Sequence, residues 1–143
     1  MDNIIIKFHT LHAQMDTGID IVNISDELSS LIQKTNIVNG TLNATCAGST
    51  GSITTIEFES GVIKDLKHIL SGIAPPSLDY EHEKAWHDGN GHSHIQAALM
   101  GPSIALPIRD RQLSLGTWQQ VVIINHDNKA RKRVVEVTII GII

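Results

Sequence analysis

Four histidines fall within thirteen positions of this chain: His82, His87, His92 and His94. Glu81, Glu83 and Asp88 lie among them. Imidazole and carboxylate are the usual ligands of borderline divalent metals, and imidazole is also suited to moving protons near neutrality. Gly89-Asn90-Gly91 in the same stretch is turn chemistry, because Gly and Asn tolerate positive φ. His82 and His94 flank that turn, so their rings can converge on one divalent cation, zinc or magnesium. His92 is the third candidate metal ligand. It shares a face with His94 if the segment is a strand, and not if it is a helix. His87 reads as solvated or capping.

A second group suits an anion. Arg131 and Arg133 alternate with Lys132 along an expected strand, and guanidinium is the natural clamp for a phosphate. Gly48-Ser49-Thr50-Gly51-Ser52 is a small-residue loop whose backbone N–H groups can face an anion. No Lys follows it, so it is not a Walker loop, and it lacks the Rossmann fingerprint. Glu57 is the candidate acid or base, and Asp65, on the helix that follows, the candidate partner that orients a histidine. Trp118 reads as core or as substrate contact, and Gln119 as a hydrogen-bond donor to substrate or to buried backbone. Bland readings stand beside these: Glu57 and Asp65 as solvated carboxylates, the arginines as an edge-protecting charge run. Asp127 and Asn128 read as turn residues and nothing more. Cys46 sits in an apolar strand and reads as inert.

The elements that must position these groups follow from hydrophobic period. Residues 3 to 10 read as a strand with Ile4, Ile6 and Phe8 on one face, and His9 and His12 continue it or mark its end. Asp16-Thr17-Gly18 is a turn, and Ile19 to Asn23 a short strand. Ser25 is the expected N-cap of a helix whose apolar face is Leu28, Leu31 and Ile32 and which ends near Asn36. Strands are expected over 41–47 and 53–59, and an amphipathic helix over 62–70 with Gly72 as its C-cap. The His-rich stretch reads as a loop leading into a short helix, 94–100. Strands follow over 103–108, 113–117, 120–125 and 132–143. Gln120 to Asn125 is apolar on both faces, so it should be covered on both. This order of elements suits an α+β domain with mainly antiparallel sheets, two main helices and a short third.

With 143 residues, one domain spanning 1–143 is expected, and Ile, Val and Leu must build its core because aromatics are only 3%. The formal net charge of −4 disfavours unspecific binding to nucleic acid or anionic membranes. One cysteine excludes an internal disulfide and a Cys-rich zinc site. No apolar run approaches a membrane span and the start lacks a signal-peptide pattern, so a soluble, cytoplasmic protein is expected. The last strand is apolar on both faces, which hints at subunit packing.

Several short motifs occur in a recognisable order: Gly48-Ser-Thr-Gly-Ser-Ile-Thr-Thr-Ile-Glu57, Asp65-Leu66, Ala74-Pro75, Tyr80-Glu-His82, Asp88-Gly-Asn90, Ser93-His94-Ile95, Leu99-Met-Gly101-Pro-Ser103, Leu106-Pro107, Leu115-Gly-Thr-Trp118-Gln119 and Arg131-Lys-Arg133. In this order the chain resembles the YjbQ-like family of small proteins, in its archaeal form, over residues 3 to 141. The resemblance implies two packed sheets in a sandwich-like fold, a homotrimer with a site near the subunit contacts, and a weak thiamine phosphate synthase activity as a side reaction. Bacterial members carry His-Thr-Ser-Ala where this chain has Gly48-Ser49-Thr50-Gly51. One imidazole of the family site is therefore missing, and His92 is the candidate replacement.

Two functions fit these residues. One is a metal-assisted enzyme acting on a phosphorylated small molecule. His82, His94 and His92 would hold the cation, and Glu57, with Asp65, would handle protons. Ser49, Thr50, Asn90, Trp118, Gln119, Arg131 and Arg133 would bind the substrate. The other is a non-catalytic trimeric module that binds a metal or a phosphorylated metabolite.

Overall fold

In a computed structural model that describes residues 2–143, the chain is an α+β sandwich. Eight strands and four helices run in the order β1 (Ile4–Met15), β2 (Asp20–Asn23), α1 (Ser25–Thr35), β3 (Asn39–Ala47), β4 (Gly51–Glu57), α2 (Ser60–Ile73), α3 (Glu81–Trp86), α4 (Gly91–Met100), β5 (Ser103–Arg109), β6 (Gln112–Leu113), β7 (Gln119–Asn125) and β8 (Arg131–Ile142). One sheet has the order β1-β8-β3-β5-β6 and the other β2-β7-β4; every pairing is antiparallel.

The two sheets enclose the main core. Leu42, Ala44, Val135, Val137 and Ile139 come from the larger sheet, Ile53, Val121 and Ile123 from the smaller, and Leu28 and Ile32 from α1. The smaller sheet turns its other face, Ile21, Val122 and Ile124, toward Ile63 and Leu66 of α2 and Met100 of α4. The continuous apolar run of β7 is thus covered on both sides, as its sequence requires. Alternation along β1 divides differently. Ile5, Leu11, Ala13 and Met15 pack on the core, whereas Ile4, Ile6 and Phe8 stand 73%, 52% and 75% exposed on the outer face.

Several element ends differ from the sequence reading. Ser25 is the first residue of α1 and Ile24 is its cap position. The Ser25 backbone N–H donates to Asn23 Oδ1 at 2.9 Å, and its own hydroxyl accepts from Val121 N at 2.8 Å. β4 ends at Glu57, because the Glu59 carboxylate leaves the strand to accept from Gly61 N and Val62 N and so cap α2. α2 passes Gly72 and is capped at Ala74. The expected strand over 113–117 is only the last residue of β6, since Gly116 N bonds to the side chain of Gln119 instead of to a ladder. α3 occupies part of the stretch read as a loop, and α4 begins at Gly91. Among the described residues no helix is long and apolar enough to cross a membrane.

A buried polar strut ties the helices to the smaller sheet. His126, just past β7, donates from Nδ1 to Gln96 Oε1 of α4 at 2.9 Å and accepts at Nε2 from the Ser52 hydroxyl at 2.8 Å. Gln96 Nε2 donates in turn to Ala74 O at the end of α2. Burial, aided by the nearby Arg133 charge, lowers the His126 pKa from 6.5 to about 4. The ring is therefore neutral in the fold, while the unfolded chain takes up a proton below about pH 6.5. The stability this supplies is complete above pH 6.5 and is lost as pH falls toward 4, by on the order of 3 kcal/mol. Urea midpoints measured from pH 7.5 to 4.5 should fall accordingly, and His126→Gln should flatten the profile. An unchanged midpoint across that range would contradict the strut.

Candidate functional site

The chemistry gathers at one end of the smaller sheet. Gly51, at the start of β4, pairs with Asn125, at the end of β7, so the β3–β4 loop and the β7–β8 turn emerge side by side. α3 and the start of α4 close over them. Residues Gly48, Ser49, Thr50, Asp88, Asn90, His94, Asp127, Arg131 and Arg133 line one cavity of about 280 Å³ there.

Asp127 holds this corner together. It is 2% exposed, yet four donors reach its carboxylate. Oδ1 accepts from Asn90 Nδ2 at 3.1 Å and from Lys129 N at 2.9 Å; Oδ2 accepts from the Thr50 hydroxyl at 2.9 Å and from Arg131 Nε at 3.0 Å. Burial would raise its pKa, but these bonds outweigh burial and hold it below the usual carboxylate value. The reading of Asp127 as a mere turn residue is corrected here. Asn90 extends the lattice, since its Oδ1 accepts from Asn128 N at 3.0 Å and from the Ser93 hydroxyl at 2.8 Å.

Arg133 is buried beside this lattice. Its Nη2 donates to Asn125 Oδ1 and to Thr50 Oγ1, both at 2.6 Å. Its Nη1 makes no hydrogen bond to a described residue and lies against the Gly48 loop. A Cβ built on Gly48, whose φ is +116°, would stand 2.7 Å from that nitrogen. Glycine at 48 therefore serves two ends, a left-handed backbone and room for a guanidinium. Thr50 supports Asp127 and Arg133 from within, while Ser49 lines the cavity.

The imidazole pair forms the adjoining wall. His82 of α3 and His94 of α4 have ring centroids 4.5 Å apart. His94 Nδ1 donates to Ser49 O at 3.2 Å, which leaves Nε2 with its lone pair. His82 Nε2 lies 3.2 Å from Asp88 Oδ1. Asp88 is held below the usual carboxylate range first by the Asn90 backbone N–H, against some burial, and then by His82. One donor atom each from His82, Asp88 and His94 falls within 4.8 Å of the others. Glu83 fixes the turn between them, accepting from Gly89 N at 2.7 Å and Gly91 N at 2.9 Å.

This donor set suits a divalent ion that accepts nitrogen. Two imidazoles and a carboxylate are the ligand types of zinc sites that keep a position open, whereas magnesium prefers oxygen alone. The three donors would close up slightly around such an ion.

Five expected participants lie elsewhere. His92 is on the same helix as His94, where two positions differ by about 200° around the axis, so it points inward. Its ring is buried beside Ser93, and burial lowers its pKa. It does not join the His82 and His94 donors; Asp88 is the third member of that group instead. Glu57 pairs with Gln119 at the far end of β4, six residues from Gly51, or roughly 20 Å along the strand. Asp65 is exposed on α2 and makes no hydrogen bond to a histidine of the described residues. Trp118 is 73% exposed and lines, with Glu57 and Phe58, a separate hollow of about 450 Å³ away from the imidazoles. Gln119 pins its own turn, accepting from Gly116 N and donating to Thr55 Oγ1. The signals that mark the two missed residues are the place of Asp88 midway between His82 and His94 and the position of Asp127 four before Arg131.

A family model described as UPF0047 protein YjbQ-like matches residues 9–142. A UPF0047 protein of Methanothermobacter thermautotrophicus is 31% identical over 81% of this chain and 80% of its own length. A crystal structure of a YbjQ-like protein of unknown function from Sulfolobus solfataricus superposes with a TM-score of 0.92 at 27% identity, covering 97% of this chain and 99% of that one. An uncharacterised conserved protein of the same family from Clostridium acetobutylicum gives 0.81 at 27% identity, over 94% and 99%.

If Asp127 organises the corner, Asp127→Ala should destabilise the fold by about 3 kcal/mol, since it strands several buried donors. Asp65→Ala should stay within about 0.5 kcal/mol of the unaltered chain. Urea denaturation of the two variants separates these outcomes.

Proposed function

The chain belongs to the UPF0047 YjbQ-like family, and from its site we propose that it binds a divalent cation and a phosphorylated small molecule side by side. The observation that carries this is the meeting of the His82, Asp88 and His94 donors with a cavity into which Arg131 and Arg133 project. The cation would be held by His82, Asp88 and His94, and zinc suits those donors better than magnesium. When bound, it would supply Lewis-acid polarisation of a phosphoryl oxygen. Arg133, anchored by Asn125 and Thr50, offers a fixed positive charge to the same phosphoryl group, and Arg131 does so from Asp127.

Thiamine phosphate synthesis is one reaction this arrangement would assist. A diphosphate leaves a pyrimidine-borne carbon, a thiazole nitrogen takes its place, and the guanidiniums stabilise the departing charge. No proton moves in that step, because the ring nitrogen uses its lone pair, and no free carboxylate stands at the cavity for reactions that need one. Asp127 is saturated with donors and Asp88 is committed to Asn90 and His82. The remoteness of Glu57 favours a second reading, a binding module with no turnover. Zinc affinity of protein purified without a histidine tag tests the shared premise. His82→Ala, Asp88→Ala and His94→Ala should each weaken it by roughly tenfold or more, and Glu57→Ala should leave it unchanged. Equal zinc affinity in all four would refute the site. Product formation that depends on His94 would then select the enzyme, and ligand binding without product the module.

Self-association accompanies this reading. Ile4, Ile6, Phe8 and Ile140 make an exposed apolar face on the larger sheet, which supports a homotrimer. A three-fold ring needs two different surfaces in contact, and the exposed aromatics Phe58 and Trp118 offer the second. Light scattering should give a trimeric mass that Phe8→Asp shifts toward the monomer. A monomeric mass for the unaltered chain would sink the assembly.

A further inference from the structure

His94 stands between two hollows. One is the polar cavity of Arg131 and Arg133. The other, about 350 Å³, shares Gly48, Ser49 and His94 with it and is otherwise bounded by Gly51, Ala97, Ala98 and Pro102. Ala97 and Ala98 follow His94 by three and four positions on α4, so all three look out over the same side. Beyond Ser49 and His94, no side chain of this second hollow carries a polar atom. The unbonded Nη1 of buried Arg133 lies against Gly48, where the two hollows join. A phosphoryl group there would have the guanidinium on one side and an apolar recess on the other.

We propose that the second hollow receives the organic part of the ligand, and that this part is a compact apolar group: the ligand is an aryl or short-alkyl phosphate ester. This rests on the polar cavity being a phosphate site. A sugar or nucleoside would turn hydroxyls toward alanine and proline, and would lose water bonds with nothing in return. A ring of the size of benzene would be freed from water at no such cost.

The test is calorimetric titration of the untagged, zinc-supplemented protein with inorganic phosphate, phenyl phosphate and glucose 6-phosphate. Phenyl phosphate should bind tighter than inorganic phosphate by about tenfold or more, and glucose 6-phosphate no tighter. Ala98→Leu, at an exposed helical position that tolerates leucine, should bring the ratio of phenyl phosphate to inorganic phosphate affinity close to one. The comparison on the unaltered protein stands without the variant. Phenyl phosphate binding no better than inorganic phosphate, or glucose 6-phosphate gaining as much, would overturn the apolar recess alone. A ratio unmoved by Ala98→Leu would overturn its location. Failure of inorganic phosphate to bind would bring down the anion site itself, and the recess with it.

Discussion

One buried carboxylate sets the geometry on which the rest depends. Asp127 has little access to water, so its charge is tolerable only while donors surround it. Those donors come from four separate places: Thr50 in the β3–β4 loop, Asn90 before α4, the Lys129 backbone in the turn, and Arg131 at the start of β8. Each is fixed in position because it serves the same anion. The consequence reaches past Asp127. Thr50, held there, accepts from Arg133; Asn90, held there, brings Asp88 and the first turn of α4 to the cavity edge. A residue assigned to hold no ligand thus decides where the ligand-holding groups stand.

Backbone periodicity supplies the second constraint, and it is unforgiving. A strand advances about 3.3 Å per residue, so two groups at opposite ends of β4 cannot share a pocket within one protomer. That separates Glu57 from the imidazoles. A helix turns about 100° per residue, so neighbours at i and i+2 look in different directions. That sends His92 inward and leaves His94 beside His82. The same rule brings Ala97 and Ala98 under His94.

Much of the fold was legible because burial writes a period into sequence. The stripe Leu28, Leu31, Ile32 marked α1, and the unbroken QVVIIN run marked a strand covered on both faces; both hold in the structure. The sandwich and the family followed from motif order. What stayed hidden was governed by contacts distant in sequence. Ser25 looks like an N-cap until Val121 claims its hydroxyl, and Glu57 looks reactive until the register places Gln119 opposite it. Asp127 was dismissed because turn residues are commonly polar for local reasons. Its partners Thr50 and Asn90 lie 77 and 37 positions away, beyond any local pattern. The imidazole cluster fared better. His82, Asp88 and His94 are close in sequence, and a short turn brings them together.

Charge balance limits what such a corner can accept. Arg131 and Arg133 bring two positive charges, and Asp88 and Asp127 two negative ones, so the formal sum is zero before any ligand arrives. A dication alone would leave an excess of two positive charges in a partly dry cavity, facing two guanidiniums. A phosphate dianion alone would face two carboxylates with the same excess of opposite sign. Together they cancel, and at such short range in a medium less polar than water each would relieve the cost of the other. Electrostatics therefore argues for cation and phosphate as a joint ligand set. Guanidiniums placed beside imidazoles would be self-defeating for a site meant to hold a metal and nothing else.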